Sequence, residues 1–556
     1  MKQVILDIET DALDASVIHL AIAKPLNEPN WFIFGGPHSI QDNVNHHSLD
    51  RLPKYLMSCD KIIMHNGMSF DLPTINRLLG CDIPYSKVLD TLILSYLYNP
   101  NQHGGHSLSS WGEQLGYHKL VQEDFSSWTP ELEDYCRRDV EITEKLLNYF
   151  TKEIHLFSKR SVNLEHTIRR VLDMQQDNGF YLDQAKCHIL LSSLQDEAGT
   201  IHDHMVDTFE PTIEVLKTKT KEIPFNPQSR QQIGDRLIKR GWEPKLFTGK
   251  TKLPVVNEQT LSDCDVPEAK ELRRYMLLRK RISQITSWIN EVKDDGRVHG
   301  NVITIGAVTN RMTHNKPNMA QIPAIYSPYG KECRECWTVE DKENYRLVGA
   351  DSSGLELRCL AHYIDDAKYT KEILEGDIHT ANQKMAGLDT RDQAKTFIYA
   401  FLYGAGAAKI GSIIDKDAAQ GQLMIDRFLD RMPKLAQWRT RVMAEAEGEG
   451  NVRALDGRYL RVRSPHSSVN TLLQGMGAIV CKEWLSQIMI LIKEKGIDAK
   501  PVANIHDEVQ FEVHKKDAEF FSKLTKEATK ITQESLNVKC PLDSEAKIGT
   551  TWAETH

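Results

Sequence analysis

A multi-domain α/β fold is what this sequence predicts, and three observations lead to it. At 556 residues, the chain exceeds what one hydrophobic core supports, so three or four domains are expected. The first ~150 residues alternate strand and helix patterns. Beyond them helical patterns dominate, broken by a strand at 345–350 and a strand pair around His506.

Each element has a local reason. Val4 to Ile8 is a short apolar run that ends in acids, as a buried strand does when it reaches a sheet edge. Val17 to Ala23 is a second strand, and Lys61 to Met64 a third, stopped by the turn sequence His65-Asn66-Gly67. Leu132 to Phe150 carries helical periodicity. Residues 156–220 read as largely helical, interrupted at Asn178-Gly179. Phe225 to Gln232 opens on a proline turn and enters a helix. A helix at 268–292 carries Arg273, Arg274, Arg279, Lys280 and Arg281. A polar loop, Asn310 to Pro323, precedes the strand Tyr345 to Ala350. Helices fill 355–445, and LDGRYLRVRS at 455–464 is hairpin-like. No internal repeat or low-complexity linker is present.

Composition narrows the classes. A formal net charge of −8 is no global nucleic-acid signature, so any phosphate binding rests on local basic stripes. The ten cysteines are scattered, which suits a reducing compartment rather than a disulfide framework. Cys333 and Cys336 form a lone CxxC without the second pair that a zinc site needs. The N-terminus reads as a strand, not a signal peptide, and no apolar run is long enough for a membrane. A cytoplasmic protein is expected.

Two sets of carboxylates carry chemistry. Asp7 and Glu9 alternate along one strand and so share a face. Asp71 follows in HNGMSFDLP, and Asp139 in YCRRD, four residues after Tyr135. Four acids from separate elements can hold two divalent ions roughly 3.5–4 Å apart for phosphodiester hydrolysis. Tyr135, one helical turn before Asp139, is placed to orient the attacking water. Each acid alone would ordinarily be a surface residue; the ordered D-x-E, HN-xxx-FD and Y-xxx-D elements make the signal. The second set is Asp351, ending the strand RLVGA, with Asp507 and Glu508 in NIHDEVQFEV. Oxygen ligands without a histidine or cysteine cluster suit Mg²⁺. Between them lies RDQAKTFIYAFLYG (391–404), where Arg391, Lys395, Tyr399 and Tyr403 recur every fourth residue on one helical face. That face offers two cations and then two rings, matching a triphosphate and a base. Ala394, Phe397, Ile398 and Phe401 form the packing face. Alone, such a helix would be an amphipathic surface element.

The resemblance becomes specific at this point. DSSGLELR, RDQAKTFIYAFLYG and HDE resemble motifs A, B and C of family A DNA polymerases. TNRMTHNKPNMAQIP (309–323), GDIHT (376–380), LDGR (455–458) and NTLLQ (470–474) follow in the family's order. The N-terminal acids resemble a proofreading 3′–5′ exonuclease of the DEDD class, tyrosine subtype. The similarity is to the phage replicative branch, typified by a thioredoxin-dependent coliphage enzyme.

The resemblance implies a ribonuclease-H-like exonuclease domain at 1–155, a helical connection at 156–200 and a right hand. Its thumb is expected at 200–300, the palm at 300–360 and 470–556, and the fingers at 360–470. Two Mg²⁺ ions per site are implied, with Mn²⁺ able to substitute. Asp351, the Ser352 carbonyl and Asp507 would bind metal at one site, and Asp7, Glu9, Asp71 and Asp139 at the other; Glu508 would support the first. Arg391, Lys395 and His379 would hold the phosphates, Tyr399 would pack at the sugar, and Tyr403 would stack near the templating position. Glu356 would close the space for a ribose 2′-hydroxyl. His506 would contact the primer terminus, Arg311 and Gln474 the minor groove, and Arg279, Lys280 and Arg281 duplex phosphates. Primer-template DNA and dNTPs are the implied ligands, with a helicase-primase and a single-stranded-DNA-binding protein as replisome partners. Tyr399, where many relatives carry phenylalanine, implies ready use of dideoxynucleotides.

The chain departs from its thioredoxin-dependent relative at about 205–225, which has no room for the basic thumb insertion. Thioredoxin dependence is therefore not expected. Nor is there room before Asp7 for the 5′-nuclease domain of many bacterial relatives. Two other classes remain: a nuclease whose C-terminal half only grips DNA, and a non-catalytic scaffold. Intact Asp351, Lys395 and Asp507 speak against both. A repair or gap-filling polymerase would share the same active-site chemistry.

Overall fold

The computed structural model describes residues 2–26, 28–37, 43–215 and 220–556. The chain forms two compact units. One comprises Met1–Asn178, Asn301–His314 and Val348–Ile548; the other comprises Gly179–Gly300, Asn315–Leu347 and Gly549–His556.

The first unit begins with a six-stranded sheet: β1 (Gln3–Thr10), β2 (Ile18–Pro25), β3 (Trp31–Gly35), β4 (Val44–His47), β5 (Lys61–Met64) and β6 (Val88–Asp90). Their order is β4-β3-β2-β1-β5-β6, which places β1 between antiparallel β2 and parallel β5. Alternation along β1 divides its side chains. Val4, Leu6 and Ile8 join a core with Met64, Leu72 and Ile75. Ile5 packs on the other face with Ile22, Ile63 and the Leu132, Cys136 and Val140 of helix α1 (Pro130–Lys152). Asp7 and Glu9 share Ile5's register, so the strand delivers both acids to the side that α1 covers. A register shift between Glu9 and Thr10 marks a bulge, the kind of irregularity that re-aims side chains at a sheet's end. Helix α1 starts cleanly because Thr129 accepts from the Leu132 amide and Pro130 occupies the first turn.

Helix α2 (Lys159–Asn178) follows. A second sheet comprises β7 (Tyr345–Ser352), β8 (Ala499–Ile505), β9 (Glu508–His514) and β10 (Ser544–Gly549), in the order β8-β9-β7-β10. Around it lie α3 (Arg391–Leu402) and α4 (Ser468–Lys495). Their core includes Phe397, Ile398, Phe428, Trp438, Met476, Trp484 and Phe511.

Helix α4 corrects one sequence expectation. The segment Pro465–Lys495 is long and apolar enough to cross a membrane, but 83% of its apolar window is buried inside the protein. It is apolar all round because protein covers it all round.

In the second unit, helices Gln184–Thr208 and Glu268–Asn290 enclose a core of Met205, Phe209, Phe225, Ile233, Leu237 and Leu272. Strands Thr212–Val215 and Thr220–Ile223 pair as a hairpin. Residues 216–219, within the 205–225 segment scanned for an insertion, lie outside the described residues.

The basic stripe is not one surface. Residues seven apart fall on nearly the same helical face, and Arg274 and Arg281 both turn inward. Arg274 pairs with Glu197 at 2.7 Å and lies over the Tyr329 ring. Arg281 is 6% exposed, its guanidinium donating to the Pro328 carbonyl and to Gln284. Arg281 is therefore a packing residue rather than a phosphate contact. Arg279 and Lys280 remain exposed. The hairpin read at 455–464 begins earlier than expected, with Asn451–Arg453 pairing with Tyr459–Arg461.

Candidate active sites

The second sheet brings the distant aspartates together. Asp351 stands exposed near the end of β7, and the next amide, Ser352 N–H, donates to the Asp507 carbonyl at 3.0 Å. His506 and Asp507 form the two-residue turn between β8 and β9, closed by the Ile505–Glu508 pair. His506 takes a φ of 57°, the left-handed conformation a tight hairpin turn requires. Burial, helped by Glu356, raises the Asp507 carboxyl to about 6. Glu508 is buried and accepts from Gln510 at 2.7 Å, which makes it a support for the turn.

Helix α3 has the two faces its spacing predicts. Ala394, Phe397 and Ile398 are fully buried, whereas Arg391 and Lys395 are exposed. A reciprocal cap between Thr390 and Gln393 fixes its start. Arg391 Nε donates to Asp377 at 2.7 Å, and Asp377 itself caps the helix Ile378–Ala386 that carries His379. His379 Nδ1 is buried and has no hydrogen-bond partner among the described residues. Burial, then Arg391 and Lys395, depress its pKa. His379 is thereby held neutral, and Arg391 and Lys395 carry the positive charge that an anion would meet. The Tyr399 and Tyr403 rings lie 6.4 Å apart. Tyr403 donates to Glu356 at 3.1 Å, and Arg311 approaches the same carboxylate at 3.7 Å. Arg311, Glu356, His506 and Asp507 line one small cavity. Gln474 sits half-buried on α4.

Arg311 follows a residue of the 309–323 segment to which the sequence assigned no role. Asn310 adopts a φ of 58° and is 2% exposed. Its carbonyl accepts from Lys482 at 3.0 Å and its side chain from Arg458 at 2.9 Å. Lys482 also donates to Glu165 at 2.7 Å; Arg458 donates to Glu165 at 2.6 Å and to Asp456 at 2.7 Å. This buried network sets the backbone from which Arg311 projects.

The N-terminal acids form a second cavity, lined by Asp7, Glu9, Asp71, Lys119, Tyr135 and Asp139. Asp71, at the start of its helix, accepts from the Ile8 amide at 3.3 Å, tying that helix to β1. Burial and mutual repulsion hold Asp7 well above the usual carboxylate range and raise Glu9 to about 8; burial and Asp90 lead in raising Asp71 to about 7. So many acids together call for cationic partners. Lys119 partly supplies one, with Nζ 2.5 Å from Asp139 Oδ2 and 4.6 Å from the Tyr135 ring centroid. Burial opposes its charge, yet Asp139 and Tyr135 outweigh burial and raise its pKa. Asp139 Oδ1 is buried with no partner among the described residues.

The model of DNA polymerase family A matches residues 200–554. The chain belongs to that family. Over 663 aligned positions it is 31% identical to a DNA-directed DNA polymerase of Enterobacteria phage T3, covering 91% of this chain and 94% of the relative. A DNA-directed DNA polymerase of Escherichia phage T7 is 30% identical over the same coverage. The POL domain of Pol1 from M. smegmatis, solved with DNA primer-template and dNTP, shares the fold at a TM-score of 0.79 and 18% identity. That likeness covers 99% of this chain and 95% of the other. As a family A polymerase, the chain is a metal-dependent nucleotidyltransferase.

Proposed function

We propose that this polymerase is a phage replicative enzyme, extending a primer at Asp351 and Asp507 and excising mismatched 3′ ends at the Asp7 cavity. The Ser352–Asp507 backbone bond carries the first reading, because it brings two aspartates 156 positions apart to one edge. Carboxylate and carbonyl oxygens are the donors read as metal ligands there, a set that fits Mg²⁺, while His506 and Cys481 line the same cavity as Asp507. Asp351, the Ser352 carbonyl and Asp507 would hold it, as Asp7, Glu9, Asp71 and Asp139 would at the other site. Bound there, the ions activate a hydroxyl or water and offset charge developing on phosphate.

The chain's own groups do the rest. Arg391, Lys395 and His379 receive the triphosphate, and Arg391 exchanges Asp377 for it. Tyr399 and Tyr403 meet sugar and base, with Glu356 held against the Tyr403 hydroxyl. Tyr135 orients the hydrolytic water. Arg279 and Lys280 supply duplex-phosphate contacts. The fingers helix travels with Arg391 and Lys395 to complete the site on nucleotide binding.

The replicative reading draws on the similarity to phage enzymes and on the excision site. Ten free thiols suit a host bacterial cytoplasm. The short hairpin following the Gln184–Thr208 helix supports synthesis independent of thioredoxin, so adding thioredoxin at limiting enzyme should leave product length unchanged. Primer extension on a primed single strand, comparing wild type with Asp351→Ala and Asp7→Ala, tests both sites. Loss of synthesis only in the first and of primer degradation only in the second is expected. Primer degradation that persists in Asp7→Ala would remove the excision assignment.

A further inference from the structure

A cavity of about 650 Å³ lies where α2 meets the first sheet, and neither carboxylate site uses it. Lys159, Asn163, Thr167 and Arg170 recur along α2 at three- and four-residue steps and so share the face that forms one wall. The start of β5 brings Lys61 to it, and the turn before β6 brings Tyr85. Three cations therefore line the cavity, and among the described residues no carboxylate does. None of the three is in an ion pair among the described residues. Lys61 Nζ donates to the Ser86 carbonyl at 2.8 Å, and the Arg170 guanidinium lies 4.3 Å from the Tyr85 ring centroid. Burial pushes the pKa of Lys61 down, with no carboxylate to offset it. Asp173, the acid three residues beyond Arg170, is engaged by Arg169 at 2.8 Å and by the Ser69 hydroxyl at 2.9 Å. Asp82 and Asp177, which also bear on Tyr85, lie outside the lining. His166 adds no charge, because Nδ1 donates to the Val162 carbonyl at 2.8 Å and Nε2 accepts the Asp90 amide. Buried Met68, Val88 and Val171 supply an apolar floor.

We propose that this cavity binds a nucleoside monophosphate, with its phosphate on Lys61, Lys159 and Arg170 and its nucleoside against Tyr85, Met68 and Val88. The site goes beyond polymerisation and excision and depends on neither. Its volume falls in the range of about 300–1,000 Å³ that small-molecule pockets occupy, and a mostly apolar lining with a few convergent charges is their usual chemistry. A partly buried ammonium without a counter-ion is unfavourable until an anion arrives. A phosphate carrying a charge of roughly −2 at neutral pH supplies that anion, and its oxygens accept the strong, charge-assisted hydrogen bonds that Lys and Arg donate. Phosphate alone would leave the apolar floor unused, so the nucleoside adds affinity by covering it. Met68 also gives its amide to Asp90, so the bound ligand sits against the loop that leads to Asp71.

Equilibrium dialysis of radiolabelled dAMP against the full chain tests this, in EDTA so that neither carboxylate site holds a metal. Saturation at one equivalent is expected. Lys61→Gln and Lys159→Gln should each weaken binding by roughly 10- to 100-fold, the scale of one charge-assisted hydrogen bond. Lys159 is exposed at the start of α2, so its variant decides the matter if Lys61→Gln disturbs the fold; an unchanged calorimetric midpoint certifies either protein. No saturable binding by wild type overturns the site. Equal affinity in wild type and both variants also overturns it, and places dAMP elsewhere, as on Arg391 and Lys395. Unlabelled inorganic phosphate should compete roughly tenfold more weakly than unlabelled dAMP. Phosphate that competes as well as dAMP overturns the nucleoside assignment.

Discussion

Replacing Glu165 with glutamine should destabilise the first unit by about 3–5 kcal/mol, the usual cost of orphaning a buried charge. Glu165, Arg458 and Lys482 are fully buried and Asp456 is 6% exposed, so two cations are balanced by two anions inside the core. Glu165→Gln keeps the shape but removes one anion. Arg458 retains its three side-chain hydrogen bonds to Asp456 and the one to Asn310. Lys482 keeps neutral acceptors only, the Asn310 carbonyl and at most the glutamine amide oxygen, and still faces Arg458. Lys482→Met should cost a similar amount, leaving Asn310 without one donor and Glu165 with Arg458 alone. The double variant restores neutrality, so a coupling of up to about 3 kcal/mol is expected. At about 2 °C per kcal/mol for a large domain, each single change should lower the calorimetric midpoint by about 6–10 °C. The pair should fall short of the sum of the two single changes by up to about 6 °C. Singles within about 2 °C of wild type, or a strictly additive double, would refute the charge-balance account. Primer extension by the single variants should weaken as well, because Asn310 fixes the backbone behind Arg311.

Tyr399→Phe should reduce dideoxynucleotide use relative to deoxynucleotides by roughly 10- to 100-fold, the worth of one hydroxyl contact. Equal discrimination by both forms in single-turnover incorporation would dismiss that role. Lys119→Met removes the ammonium competing for Asp139 and should tighten Mn²⁺ binding on the order of tenfold, measured by electron paramagnetic resonance; unchanged or weaker binding contradicts it. His314, buried and with the nearby His506 charge against it, is pushed down to about 4. The unfolded chain takes up that proton near 6.5. Stability worth about 3 kcal/mol is thus present above pH 6.5 and lost as pH falls towards 4. His314→Leu should flatten the midpoint between those pH values, and an unchanged slope would exclude His314 as its source.

The sites differ in how much of them a sequence can carry. Asp7, Glu9, Tyr135 and Asp139 are legible because strand alternation and a four-residue helical step act over a few positions. The faces of α3 are legible for the same reason. Lys119, Asp377 and Cys136 are not, although Asp377 and Cys136 stand inside quoted motifs. Their roles depend on which elements meet, and local spacing does not encode that. Arg281 failed because a charge run was treated as one face, whereas a helix turns consecutive residues about 100° apart. The apolarity of α4 was visible, but its environment was not: only the packed core shows that protein covers it. Strands β3, β4 and β6 are short, and nothing in their few residues separates them from loop.

Helix α2 has a practical consequence for how the enzyme can be cut. Glu165 on this helix neutralises Lys482 and Arg458, while the adjacent His166 accepts the Asp90 amide at 2.8 Å. Asp90 in turn receives the Asn66 and Met68 amides of the loop leading to Asp71. Neighbouring residues therefore serve the two carboxylate sites. A truncation beginning after α2 would strand two buried cations, and one beginning before it would bare His166 and the helix face that packs against the first sheet. A version without the proposed excision activity should accordingly be made by substituting Asp7, with the N-terminal domain retained as scaffold.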